Sequence, residues 1–125
     1  MKKKVTIIDY GMGNILSVKN ALDYWGFNSI VSDKADIIQN SELLILPGVG
    51  SFFKAMSALN NKGISDVIKS NINLKKSKVL GICLGMQLLA SKGYEDGIIE
   101  GIGLIDTEVN QFNLKKNKNL KLPHV

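Results

Sequence analysis

Arginine is missing from this chain, and cysteine, tryptophan and histidine occur once each, as Cys83, Trp25 and His124. One cysteine cannot close an internal disulfide, so the chain suits a reducing, cytoplasmic compartment and carries a free thiol that needs an explanation. No uninterrupted apolar run reaches about 18 residues, and the opening Met-Lys-Lys-Lys leads straight into Val-Thr-Ile-Ile-Asp without a secretory signal core. Neither a membrane span nor export is expected. No metal or cofactor is expected either.

Positive charge is supplied by lysine alone: sixteen lysines against eleven acidic residues give a net charge of +5. They bunch at Lys2, Lys3 and Lys4, at Lys75, Lys76 and Lys78, and at Lys115, Lys116, Lys118 and Lys121. Nucleic acid is the reflex inference from such runs. Without arginine, however, there is no bidentate reader of base edges, and no aromatics are interleaved for base stacking. The runs are read as solvated loops, with no nucleic acid partner.

What the chain does have is an ordinary globular composition, 45% hydrophobic and 22% charged over 125 residues, enough for one domain with a real core. Residues 5–9 form a β-branched apolar run that stops at Tyr-Gly-Met-Gly-Asn, the pattern of a buried strand followed by a glycine loop. From Asn14 on, Ile15, Val18, Leu22 and Trp25 recur at helical spacing, with Gly26 placed to close the helix. Residues 28–32 read as a second strand and 43–46 as a third, ended by Pro47-Gly48-Val49-Gly50 because proline cannot extend a central ladder. Ser51 is an N-cap candidate for a helix whose Phe52, Ala55, Met56 and Leu59 share one face, with Gly63 after it, and another helix is expected over 65–73. Residues 79–82 read as a fourth strand, 84–91 as the helix after it, 102–109 as a further strand and 110–121 as a lysine-rich loop or hairpin.

Alternating strands and helices imply right-handed crossovers and a mainly parallel sheet with helices on both faces, an α/β three-layer fold of the flavodoxin-like kind. Functional groups in such sheets gather beyond the C-terminal strand ends. Three unusual loops fall there: residues 11–14 (Gly-Met-Gly-Asn), 47–50 (Pro-Gly-Val-Gly) and 81–85 (Gly-Ile-Cys-Leu-Gly).

A lone cysteine is more often a small buried hydrophobe than a reagent. Here, though, Gly-x-Cys-x-Gly between a buried strand and a helix has the form of a nucleophile elbow, in which flanking glycines let the backbone fold back sharply and project the nucleophile from the sheet edge. Unpaired N–H groups at the start of the next helix would favour the thiolate of Cys83. The Leu84 N–H, directly after the nucleophile, is one oxyanion donor, and the Val49 N–H, in a loop whose glycines permit unusual backbone angles, is the second.

The segments GICLGMQLL and LPGVGSF together resemble a triad-type glutamine amidotransferase. DYGMGN, GIGLI and LPHV are similar specifically to the glutaminase subunit of imidazole glycerol phosphate synthase, of histidine biosynthesis. Related subunits serve amidotransferases of surface-sugar biosynthesis. The resemblance covers essentially the whole chain. It implies that Cys83 attacks the side-chain amide of L-glutamine, that Gly48, Val49 and Gly50 form the oxyanion loop, and that Gln87 and Glu95 hold the α-amino and carboxylate groups of the substrate. It also implies that Gly11, Gly13, Asn14 and His124 lie at the interface with a barrel-shaped synthase subunit in a heterodimer.

The sequence departs from the family's pattern in one respect. The family's general base, a histidine followed two residues later by glutamate, falls in a C-terminal section with no counterpart in residues 1–125, and His124 matches the interface segment instead. Residues 1–125 are therefore read as a single partial domain, nearly inactive alone, with an exposed strand edge and apolar surface that invite oligomerisation or dependence on a partner. A non-catalytic partner-binding remnant is one alternative. A dinucleotide site at Gly11-Met12-Gly13 with Asp33 is another, weakened by Leu16 at the third glycine position. A redox-active cysteine protein would share the elbow but leave the Pro-Gly-Val-Gly loop unexplained.

Overall fold

A computed structural model describes residues 3–95 and 97–112. Its main sheet has four parallel strands: β1 (Lys4–Ile8), β2 (Asn28–Ser32), β3 (Leu43–Leu46) and β4 (Lys78–Gly81), in the order β2-β1-β3-β4. Between them run α1 (Ile15–Tyr24), α2 (Ala35–Gln39), α3 (Phe52–Asn61) and α4 (Ile64–Asn73). After β4 come the short α5 (Leu84–Leu88) and a small second sheet of β5 (Ala90–Gly93), β6 (Ile99–Glu100) and β7 (Ile105–Val109), in the order β6-β5-β7. β5 pairs antiparallel with β6 and parallel with β7.

The two-residue period of the strands sorts their side chains into two cores. Val5, Ile7 and Ile45 pack with Ile15, Val18 and Leu22 of α1 on one face. On the other, Ile8, Leu44 and Leu46 pack with Ile38, Leu59, Ile64, Ile68 and Leu88. Helices thus cover both faces of a mainly parallel sheet, as the alternation of the sequence implies. No helix among the described residues is long and apolar enough to cross a membrane.

Local signals explain most boundaries. Asn14 caps α1 by accepting from the Ser17 N–H at 3.3 Å, and Ser51 caps α3 by accepting from the Lys54 N–H at 3.3 Å, each worth about 1 kcal/mol. Gly26 and Gly63 leave α1 and α3 in the left-handed region, at φ 83° and 70°. Past α4, that position is filled by Lys75 at φ 58°, where a side chain costs on the order of 1 kcal/mol relative to glycine.

Three expectations are corrected. The helix expected over 84–91 ends at Leu88, because Leu88, Leu89 and Ala90 are buried in succession rather than on one helical face, and the chain turns into β5 to pair with residues 99–109. Tertiary pairing outweighs the helix propensity of these residues. The strand expected over 102–109 is confined to β7, while β6 and α2 went unread. Trp25, placed by spacing on the inner face of its helix, falls just past the end of α1 and is 76% exposed, edge-on to Tyr24 at 5.6 Å. Of the loop expected over 110–121, all but residues 110–112 lies outside the described residues.

β4 is an edge strand among the described residues, with Leu80 58% exposed beside a shallow apolar groove formed with Val18, Leu22, Ile45 and Ile82. Unpaired edges with apolar side chains recruit other chains. Sedimentation velocity over a concentration series should therefore show self-association, and Leu80→Lys should shift the population toward monomer. An unsubstituted chain that stays monomeric at every concentration would refute this expectation.

Candidate active site

Cys83 occupies the turn between β4 and α5 at φ 55°, ψ −120°, and is exposed. A non-glycine residue held at positive φ stores strain of roughly 1–3 kcal/mol, which persists only where its surroundings fix it. The surroundings are backbone. A Cβ on Gly85 would collide with the carbonyl oxygen of Leu46 at the end of β3, and a Cβ on Gly81 would come within 2.6 Å of the Met86 Cα. The Ile82 N–H donates to the same Leu46 carbonyl at 2.9 Å. Gly85 thus lets the elbow sit directly on the neighbouring strand, and Gly81 lets the start of α5 fold back against the end of β4.

Donors in the first turn of α5 are mostly turned inward: the Gly85 N–H bonds the Ile82 carbonyl, and the Met86 and Gln87 N–H groups bond that of Cys83. The Leu84 N–H is the remaining first-turn amide, directly after the sulfur. α5 spans five residues rather than the eight expected, so any dipole contribution is shorter-ranged than the sequence implied. Gln87 lies one turn past Cys83 and is half-buried.

The Pro-Gly-Val-Gly loop packs against this elbow. A Cβ on Gly48 would lie 2.9 Å from the Gly85 nitrogen and 2.5 Å from the Tyr10 hydroxyl. Tyr10 itself is buried and donates to the Pro47 carbonyl at 2.7 Å, and burial pushes its phenol up to about 12. The third loop closes the group: a Cβ on Gly13 would touch the Pro47 ring at 3.2 Å, and Gly50, at φ 108°, faces Met12. The three glycine loops named from the sequence do converge.

Two site residues stand differently from expectation. The Val49 N–H, assigned as an oxyanion donor, is engaged by the Met12 carbonyl at 3.2 Å, although the Val49 side chain is exposed. Glu95 reaches the start of α3, where one of its oxygens accepts from the Phe52 N–H at 3.0 Å, so its carboxylate caps that helix. Gly11 and Asn14 serve the neighbouring loop locally, the Gly11 N–H donating to Asp9 at 3.2 Å. His124 lies outside the described residues. The dinucleotide alternative loses its acidic residue: Asp33 pairs with Lys62 at 3.1 Å, which holds its carboxyl below the usual range.

Sequence reasoning missed Tyr10, Met12 and the Leu46 carbonyl. Tyr10 carried a readable signal, since it extends the apolar run of β1 past Asp9. The backbone roles of Met12 and Leu46 have no side-chain signature.

Gly85→Ala should lower the unfolding free energy by about 2–3 kcal/mol in denaturant titration, since neither backbone can move aside cheaply. Tyr10→Phe should lower it by about 1 kcal/mol at neutral pH by leaving the Pro47 carbonyl unpaired. Between the ordinary phenol value of 10.0 and about 12, the unfolded chain ionises while the folded chain keeps its proton. Stability should therefore fall as pH rises through that window, and less steeply in Tyr10→Phe.

The CobB/CobQ-like glutamine amidotransferase domain family matches residues 9–122. Imidazole glycerol phosphate synthase subunit HisH 1 of Campylobacter jejuni strain 81-176 is 40% identical over 121 residues, 97% of this chain and 59% of its own length. The HisH subunit of Caldanaerobacter subterraneus subsp. tengcongensis is 46% identical over 122 residues, 97% of this chain and 57% of its own. That of Chlorobaculum tepidum is 43% identical over 114 residues, 91% of this chain and 56% of its own. The chain thus spans less than three-fifths of the length of these relatives. A crystal structure of a glutamine amidotransferase superposes with a TM-score of 0.72 at 21% identity, over 83% of this chain and 54% of that one. With its matched residues running from the end of β1 through the elbow and beyond, the chain belongs to the glutamine amidotransferase family.

Proposed function

We propose that this chain carries the glutaminase site of an amidotransferase, releasing ammonia from L-glutamine for a partner synthase in the cytoplasm. Its relatives are named as subunits of imidazole glycerol phosphate synthase, which supports that enzyme's other subunit, read here as a cyclase barrel of histidine biosynthesis, as the partner. The observation that carries the reading is an exposed cysteine held at positive φ, seated backbone-to-backbone on a glycine loop.

In this reading the Cys83 sulfur attacks the side-chain amide carbon of glutamine. The C–N bond breaks, ammonia leaves with an added proton, and a glutamyl thioester remains. Water then attacks the thioester, giving glutamate and restoring the thiol. The Leu84 N–H meets the carbonyl oxygen as negative charge develops. The Val49 N–H joins it once released from Met12, an exchange of a bond worth about 1 kcal/mol for an oxyanion contact worth about 3 kcal/mol. Gln87 and the Glu95 oxygen not bound to Phe52 hold the amino-acid end of the substrate. Gly11, Gly13 and Asn14 form the partner face, next to Met12, which restrains Val49.

A glutamate-release assay with and without the synthase barrel tests turnover, and glutamate released in neither condition would leave a partner-binding subunit without turnover. Covalent labelling by a glutamine-analogue electrophile tests the site itself. Labelling should fall on Cys83, be slowed by glutamine and vanish in Cys83→Ala, and any turnover should drop about a thousandfold in that variant. Labelling that glutamine does not slow would overturn the proposal.

A further inference from the structure

Two of the three lysine runs, separate in sequence and read as solvated loops, meet in space. Lys3 and Lys4 at the start of β1, and Lys75, Lys76 and Lys78 at the turn from α4 into β4, line one open cavity of about 980 Å³. It lies at the N-terminal ends of β1, β3 and β4, so the length of the sheet separates it from Cys83. Two carboxylates, Asp36 and Glu42, share the lining with the five lysines. Among the described residues, none of these seven side chains is in an ion pair: the two ion pairs, Lys19 with Asp23 and Lys62 with Asp33, lie elsewhere.

The polar wall between the lysines is built and held. Thr6, only 1% exposed, shares a hydrogen bond with Ser41 at 2.6 Å. Ser77 donates to the Ser41 carbonyl, and the buried Asn71 amide donates to Ser77 at 3.0 Å and to the Gln39 carbonyl at 2.8 Å. Lys75 stands at φ 58°, a position where glycine is less strained, so the fold alone gives no reason for a lysine there. Five lysines against two carboxylates leave the lining with a net positive charge, and ammonium groups act as point charges toward phosphate.

We propose that this cavity binds a small anion carrying two or more phosphate groups. Its volume suits a metabolite-sized ligand. It has the wrong lining for nucleic acid, since no arginine or aromatic residue is among its walls.

Isothermal titration of the full chain with inorganic tripolyphosphate at low salt should show saturable binding of one anion, weakened about tenfold or more in Lys75→Gly/Lys78→Gln. Lys75→Gly removes a strained side chain, so its thermal melt should be no lower than that of the unsubstituted chain. The charge-matched control Lys54→Gln/Lys92→Gln, on α3 and β5, should bind as tightly as the unsubstituted chain. Parallel titrations with ATP and with inorganic tripolyphosphate distinguish a nucleotide from a free oligophosphate as the source of the phosphates, and saturable binding of either on these lysines supports the site. Three outcomes would overturn it: no saturation by either anion, equal weakening in the control, or displacement of tripolyphosphate by a single-stranded oligonucleotide bound more tightly on the same lysines.

Discussion

The contact between the Leu46 carbonyl and the turn around Cys83 is the constraint on which the rest of the site depends. One oxygen at the end of β3 accepts from the Ile82 N–H and at the same time occupies the space a Cβ on Gly85 would need. The elbow can therefore rest on β3 only if residue 85 has no side chain. Once it rests there, Gly48 is pressed between Gly85 and the Tyr10 hydroxyl, and the loop that follows β3 has little freedom left. The positive φ of Cys83 is the local strain of this close approach, and it is held by backbone contacts that no side-chain movement can relieve.

A parallel sheet separates its two ends chemically, and this chain uses the separation. Beyond the C-terminal ends of β1, β3 and β4 lie glycine loops, where amides rather than side chains face one another. At the N-terminal ends, β1 and β4 begin with lysine while β3 follows Glu42, and Thr6, Ser41, Ser77 and Asn71 form a closed set of hydrogen bonds beneath those charges. Such a network is worth having only if fully satisfied, and no buried side-chain nitrogen or oxygen among the described residues lacks a partner. The rigid layer between the two ends is the apolar pair of cores, whose division follows from nothing more than the two-residue period of β1 and β3.

Much of this was legible in the sequence because it rests on periodicity and on glycine. The four strands of the main sheet, the helices α1, α3 and α4, the Ser51 cap and the convergence of three loops follow from apolar spacing and turn chemistry. What was not legible depends on pairing at a distance. The residues from Leu88 to Ala90 look helical until β7 offers them hydrogen bonds, and α2 is too short to show a period. Within the site, the glycines announced a close approach but not which backbone atom they approach. The hydrogen bond between Val49 and Met12 joins two loops through groups that every residue carries, so no sequence pattern could have marked it. The same holds for the lysines, whose clustering appears only when the start of β1 is set beside the start of β4.

That bond between Val49 and Met12 also bears on how the family's chemistry would be controlled in this chain. An amide hydrogen bond in a partly exposed loop contributes about 1 kcal/mol net, because water competes for both partners. An amide aimed at a developing oxyanion is worth about three times as much, because the charge is concentrated and the site is drier. Under the proposed glutaminase reading, that balance would turn the Val49 N–H toward substrate only as the oxyanion forms. The free-energy gap is small enough that a partner docking on residues 11–14 and drawing the Met12 carbonyl away by one hydrogen bond's worth of interaction would shift it. In that reading, the weak bond between Val49 and Met12 would hold a second oxyanion donor back without altering the elbow itself.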